Sequence, residues 1–465
     1  MNKDSLKPKK KELTMGIALT VLLILVVVII GGYSILGAPL HGMFFLSFLL
    51  VIGAAYYLGY SYDEIETEGY NFVRKGLQPF FIILAVGGMV GTWMAAGTIS
   101  TIIYYGLKII TPQFFLLTAL VLCSVTSLST GTSWGAMATA GVAMMGVGQG
   151  LDIPPAITAG AVICGAYFGD KMSPFSDTTN LTAAVTGTEV MDHVKHMLYE
   201  QVPAYIITAV IFLVMGLKYR GATIDYNSIN FILDGFDANF KIGIISFLPA
   251  LVVVALLVAK IPAFLSLMIG AISGGIVAVL YQGAALSDVL YVFYRGFSID
   301  TGIAQVDAIL NRGGVSSMYD TAILILFAMF VSGVLNHIGV METIINPVLK
   351  LVKSEKSLTL VTMFINYFIN AVGGSFSLAT VMTATFMLPL YEHFNLKSEN
   401  LSRTIEASGT YGGVLMPWNG HAIYASTTLG VSTLSYVPYC FMNILSPVIT
   451  IILAFTGISM TRYED

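Results

Sequence analysis

The residues best equipped for chemistry lie inside an apolar run. Gly169-Asp170-Lys171-Met172-Ser173-Pro174-Phe175-Ser176-Asp177-Thr178-Thr179-Asn180 combines two carboxylates, a lysine and a proline with five hydroxyl or amide side chains. An aspartate at the centre of a lipid-facing helix costs about 2.5–3.5 kcal/mol, so such residues persist only where they face a cavity. Pro174 interrupts the helical hydrogen bonds, and irregular backbone at membrane depth is tolerated for the same reason. The freed carbonyls, with Asp170, Ser173, Asp177, Thr178 and Asn180, are oxygen donors of the kind a hard cation prefers. Asp177 is the leading candidate for ion coupling. A single carboxylate that takes either Na⁺ or H⁺ makes the two occupancies mutually exclusive. Asp177 and Asn180 are the expected Na⁺ ligands, while Asp170 has the alternative role of an ion pair with Lys171 or another helix.

A second polar segment, Met416-Pro417-Trp418-Asn419-Gly420-His421, places Gly420 where the first has Asp177. Asn419 and His421 are candidates for the far side of the site, and His421 is also a candidate for a buried structural role. Glu406 lies about three turns before this break. It is expected either to bind a proton or to pair with Arg403 near the interface. Ser129-Thr130-Gly131-Thr132-Ser133 and Gly373-Gly374-Ser375-Phe376-Ser377 are rich in small residues. They fit hairpin tips that bring Thr132, Ser133 and Ser375 to an ion, or else tight helix packing.

These segments are related. Pro174 and Gly187 stand thirteen residues apart, as do Pro417 and Gly430, and the offset 417 − 174 = 243 also carries Gly131 to Gly374 and Gly169 to Gly412. Gly91 and Gly97 match Gly333 and Gly339 at an offset of 242. A shared offset across separate segments points to an internal duplication.

Composition sets the frame for both halves. The 465-residue chain is 56% hydrophobic and 10% charged, against about 25% charged in ordinary soluble domains. It lacks the polar residues to cover soluble domains of this length, and its net charge of −4 gives no nucleic-acid signature. Windows of about 20 apolar residues predict spans at 14–33, 38–60, 78–97, 154–186, 201–219, 241–259, 262–281, 319–339, 401–430 and 437–458. The stretches 112–150 and 358–391 each have a polar centre and read as helix pairs or re-entrant hairpins. Residues 61–76 and 285–315 mix charge with aromatics, as interfacial helices do. Cys123, Cys164 and Cys440 lie far apart in apolar runs and read as packing residues.

The resulting expectation is an all-α polytopic membrane protein with cytoplasmic termini. The basic tail and first two helices occupy 1–60, repeat 1 occupies 61–219, a loop and two helices 220–284, and repeat 2 285–465. The loop count gives the repeats inverted topology, each with a re-entrant hairpin and an unwound helix, an arrangement characteristic of secondary transporters.

GDKMSPFSDTTNL, together with STGTSWG, MPWNGHA and the overall length, resembles the NhaC family of Na⁺/H⁺ antiporters. The resemblance covers essentially the whole chain. It implies the ion transporter superfamily architecture, elevator-like alternating access in the cytoplasmic membrane, and Na⁺ and H⁺ as transported ions with no cofactor. By analogy it also implies a homodimer. It supports roles for Asp170, Ser173, Asp177, Thr178 and Asn180, and for Thr132, Ser133 and Asn419. Some relatives resemble malate–lactate exchangers coupled to Na⁺ and H⁺, so a small carboxylate is the alternative cargo.

Other classes fit less well. FGD at 168–170, PAL at 249–251 and YD at 319–320 superficially match intramembrane aspartyl proteases, but their order is wrong. No Walker motif supports ATP-driven pumping. A channel would ordinarily be a symmetric oligomer with a filter ring.

Overall fold

The computed structural model describes residues 10–32, 36, 38–174, 176–219, 226–302, 307, 310–311 and 313–463. Among these the chain is helical throughout, with one isolated β-bridge between Leu396 and Arg462. The N-terminal helices are α1 (Met15–Val26, continued by a π turn, Val27–Gly31) and α2 (Leu40–Tyr57). Next come α3 (Tyr62–Ala95), α4 (Thr98–Ile109), α5 (Pro112–Thr130) and α6. Helix α6 runs Ser133–Ala136, Met137–Gly141 and Val142–Gly150 without interruption. It is followed by α7 (Pro155–Met172), α8 (Asp177–Thr186) and α9 (Val190–Leu217). Helices α10 (Tyr226–Asn239), α11 (Leu248–Val258), α12 (Ala263–Val277) and α13 (Leu286–Arg295) link the halves.

The second half comprises α14 (Tyr319–His337), α15 (Val340–Leu349), α16 (Glu355–Gly373) and α17 (Phe376–His393). It ends with α18 (Ser398–Gly413), α19 (Gly420–Leu429), α20 (Thr433–Tyr436) and α21 (Phe441–Thr456).

The duplication extends to element boundaries. From α5, α6, α7, α8 and α9 to α16, α17, α18, α19 and α20, each first residue recurs at the same spacing (355 − 112 = 243 for the first pair). Turn geometry repeats as well. Gly131 and Gly374 have φ of 69° and 57°, and Gly187 and Gly430 have 69° and 71°. In each case a left-handed glycine closes a helix, a conformation that costs other L-residues roughly 1–2 kcal/mol.

Two span boundaries differ from the sequence expectation. Residues 61–76 are not a separate interfacial helix but the first turns of α3, which runs on for 34 residues. Ser61 caps it, accepting from the Glu64 amide while Glu64 accepts from the Ser61 amide, and this capping box starts the helix early. At about 1.5 Å per residue α3 is roughly 51 Å long, well beyond a hydrocarbon core of about 30 Å, so its acidic first turns lie outside it. Likewise α9 begins at Val190 rather than 201, because His193, His196, Glu200 and Gln201 are buried against neighbouring helices rather than solvated. Within 285–315, the α-helix among the described residues is Leu286–Arg295, and residues 303–306, 308–309 and 312 lie outside the described set.

The surface is that of a multi-pass membrane protein. Leu19, Leu23, Val27, Ile206, Val210, Val214 and Ile272 project outward from α1, α9 and α12, an apolar exposure that lipid satisfies and water does not. By length and composition α9, α12 with its π turn, and α14 with its preceding turn each qualify as a span. Three bent helix pairs qualify jointly, including the α3–α4 pair with a 70° bend. The three cysteines are buried and unbridged.

The interior is polar where repeat counterparts meet. Between Thr158 and Lys171 of α7 only Phe168 is not buried, and α18 is buried from Asn400 to Gly413. These two enclosed helices carry Asp170, Lys171, Arg403 and Glu406, ionisable residues that lipid would not tolerate.

Candidate functional site

Both helix breaks end at a capped turn. Helix α7 stops at Met172, where Ser173 leaves helical geometry, and α8 restarts after Ser176, whose hydroxyl accepts from the Thr179 amide. In the other half α18 stops at Gly413 and α19 restarts after Asn419, whose side-chain oxygen accepts from the His421 amide at 3.0 Å. Serine and asparagine are strong N-caps, so each break is written into local sequence.

The breaks and the two glycine turns converge on a cavity of about 580 Å³. Thr132, Ser133, Asp170, Thr178 and Asn180 line it from the first half, and Ser375 and His421 from the second. Seven of the residues singled out by sequence therefore share one space, drawn from both halves of the chain.

Among the described residues, Asp170 is the carboxylate on the cavity wall. It is 1% exposed, and Ser133 donates to its Oδ2 at 2.9 Å across 37 residues. The Thr178 hydroxyl lies 2.9 Å from that of Ser176. The Asn180 amide donates to the Pro174 carbonyl at 2.9 Å and the Ser176 carbonyl at 2.6 Å, leaving its oxygen as the part able to meet a cation. His421 places Nδ1 2.7 Å from the Tyr167 hydroxyl, and Trp134 stacks on Tyr424 beside it at 4.0 Å. Ser375 precedes α17 without a side-chain cap bond.

Ser173, Asn419 and Glu406 are placed elsewhere. Ser173 is buried and donates to the Leu128 carbonyl at 2.9 Å, which anchors the break to α5. Asn419 is buried and does not line the cavity; its amide donates to Asn370 Oδ1 at 2.7 Å. The Asp177 backbone opens α8, and its side chain lies outside the described residues.

Glu406 departs from its expected surroundings. It is fully buried rather than near the interface, and its partner is Lys171, not Arg403. Thr182 donates to Oε1 and Thr410 to Oε2, each at 2.7 Å. Arg403 instead donates to the carbonyl and hydroxyl of Ser459. Lys171, the expected alternative partner of Asp170, thus turns its charge away to α18. The reason is helical geometry: adjacent residues on a helix point about 100° apart. One can face the cavity while the next faces a neighbouring helix.

Sequence reading missed other residues. Lys260 lines the cavity from the turn between α11 and α12, and the available signal was its place as the sole charged residue from 242 to 281. Thr182, Thr410 and Tyr167 gave no signal, since threonine and tyrosine are common inside apolar helices.

Comparison with known proteins agrees with this reading. Residues 165–458 match the model of the Na⁺/H⁺ antiporter family. The "Malate-2H(+)/Na(+)-lactate antiporter" of Bacillus subtilis is 37% identical over 91% of this chain and 90% of its own length. "Na(+)/H(+) antiporter NhaC" of Alkalihalophilus pseudofirmus is 34% identical over 98% of each chain. "Arginine/ornithine antiporter ArcD" of Halobacterium salinarum is 32% identical over 88% of this chain and 84% of its own. With its broken, polar helices meeting in an apolar bundle, this chain is a membrane antiporter homologue and belongs to the NhaC Na⁺/H⁺ antiporter family.

Proposed function

We propose that the chain exchanges Na⁺ for H⁺ across the cytoplasmic membrane, with both termini cytoplasmic and the two halves acting as inverted repeats. The observation that carries this is Asp170 on the cavity wall, with Ser133, Thr178 and Asn180 around the same space. Na⁺ binds to carboxylate and hydroxyl oxygens; a proton on the carboxylate removes the charge that holds it. Asp177, at the start of α8, is the residue assigned to coupling, with Asp170 holding the site's second carboxylate. The matched breaks in α7–α8 and α18–α19 support alternating access at the repeat interface, and an elevator-like movement of the broken helices against the rest is the form proposed.

A second reading has its own support. A water occupies about 30 Å³, so a cavity of about 580 Å³ far exceeds the needs of a bare ion. With Lys260, Ser375 and His421 on its wall, it would accommodate a small carboxylate such as malate or lactate.

Purified protein in liposomes with a lumenal pH dye separates the two. Proton movement driven by Na⁺ alone, in buffers free of organic anions, establishes Na⁺/H⁺ antiport. Movement that requires malate on one side and lactate on the other replaces that reading with organic-acid exchange.

A further inference from the structure

A second buried glutamate lies outside the cavity, and its surroundings differ in kind from those of Glu406. Glu200 of α9 is 0% exposed and packs where α9, α18 and α21 meet. Its Oε1 accepts from the Gln201 amide at 2.9 Å, and its Oε2 lies 2.7 Å from both the Ser446 and Thr450 hydroxyls. Among the described residues it has no ion-pair partner. The charged and titratable groups acting on it are Arg403 and Tyr411 on α18 and Tyr367 on α16, while His196, four residues earlier on its own helix, bonds the Ser459 carbonyl. Arg403 donates through Nη1 to Ser459 and through Nη2 to the Met460 sulfur rather than to Glu200, and α21 presents only the neutral Asn443, Ser446 and Thr450.

The hydrogen count around Glu200 closes in both protonation states. Thr450 has one hydroxyl hydrogen and two acceptors within reach, Glu200 Oε2 at 2.7 Å and the Ser446 carbonyl at 3.0 Å. With Glu200 ionised, Thr450 donates to the carboxylate. With Glu200 protonated, the acid donates to the Thr450 oxygen, and that hydroxyl turns to the Ser446 carbonyl. No heavy atom has to move. Glu406 lacks this freedom, because the Lys171 ammonium beside it favours one state. Glu200 is also linked to that pair: Tyr411 donates to Gln201 Oε1 at 2.6 Å, and its ring lies 5.0 Å from the Lys171 ammonium.

We propose that Glu200 is a second proton-binding carboxylate of the exchange cycle, separate from the cavity and relayed by Ser446 and Thr450. This rests on the antiport reading above. The position equivalent by repeat, 200 + 243, is the buried Asn443, so a neutral amide is tolerated in the matching environment and Glu200→Gln is a reasonable isostere.

The test measures H⁺ moved per Na⁺, from reversal potentials in proteoliposomes of the full chain. Absence of Na⁺-driven H⁺ movement in the wild type would remove the antiport reading itself. With wild-type exchange present, the expected result is a fall of one H⁺ per Na⁺ in E200Q; an unchanged ratio overturns the inference and leaves antiport standing. Should E200Q be inactive or unfolded, Thr450→Val removes the relay hydroxyl and keeps its shape. Infrared difference spectra of T450V without Na⁺ should then show the carboxylic-acid band titrating at a shifted pH, and a titration superimposable on wild type overturns the proposal.

Discussion

Lys171 of α7 and Glu406 of α18 form an ion pair in which both side chains are 0% exposed, joining the helices that precede the two breaks. Thr182 of α8 and Thr410 of α18 complete the carboxylate's hydrogen bonds. The pair therefore ties three of the four helix segments at the breaks into one unit. It also cancels a charge that would otherwise sit one residue from Asp170.

Breaking a buried pair from one side leaves an uncompensated charge and costs about 3–5 kcal/mol, whereas replacing both members with apolar residues is often close to neutral. Glu406→Gln and Lys171→Met should each lower the melting temperature in detergent markedly. The double variant K171M/E406L should recover much of the loss. Additive losses in the double variant would show that the two residues act separately.

Asp177→Asn should abolish Na⁺-driven proton movement while leaving a folded, monodisperse protein. Full activity would transfer the coupling role to Asp170. Ser133→Ala removes one donor to the Asp170 carboxylate. A hydrogen bond to a charged group contributes about 1.5–3 kcal/mol, so the Na⁺ concentration for half-maximal exchange should rise by roughly tenfold or more. An unaltered Na⁺ dependence would remove Asp170 from the ion site.

The turns at Gly131 and Gly374 hold φ at 69° and 57°. Alanine there costs about 1–2 kcal/mol in backbone strain, and the Cβ at Gly374 would meet nothing nearer than the Trp418 carbonyl at 3.9 Å. Gly374→Ala should therefore lower stability through backbone strain, whereas Gly420→Ala, with negative φ and its nearest neighbour 3.8 Å away, should change it little. Thermal denaturation of the two variants side by side checks this.

At the start of α3, outside the hydrocarbon layer, Glu64 has a depressed carboxyl pKa of about 2. The Ser61 amide is the largest cause, followed by the Lys10 ammonium. Because the folded value lies below the ordinary one near 4.5, its stabilising effect is present above that pH and is lost as pH falls toward 2. The stability difference between wild type and Glu64→Gln should thus shrink over this window. Exposure of the Lys10–Glu64 pair keeps the effect small, and a difference independent of pH would refute the assignment.

Much of the architecture was legible in one dimension because its causes are local. Pro174 and Pro417 interrupt apolar runs, Ser176 and Asn419 cap the restarts, and left-handed glycines close the turns. Each acts within a few residues, so spacing alone exposed the breaks and the duplication. The same locality drew Asp170, Thr178, Asn180, Ser133 and His421 to notice, and these do share a cavity.

What only the tertiary structure decided is which side chain meets which. Lys171 and Glu406 are 235 residues apart, and Glu200 finds Ser446 and Thr450 across about as great a distance. Helical sequence states which residues share a face but not which helix that face will meet. Lys171 therefore read as a neighbour of Asp170, and Glu406 as a neighbour of Arg403. Burial then acts as a further selection: where water is excluded, each charge must find a partner or be neutralised. Those partners exist only once α7, α9, α18 and α21 have packed together.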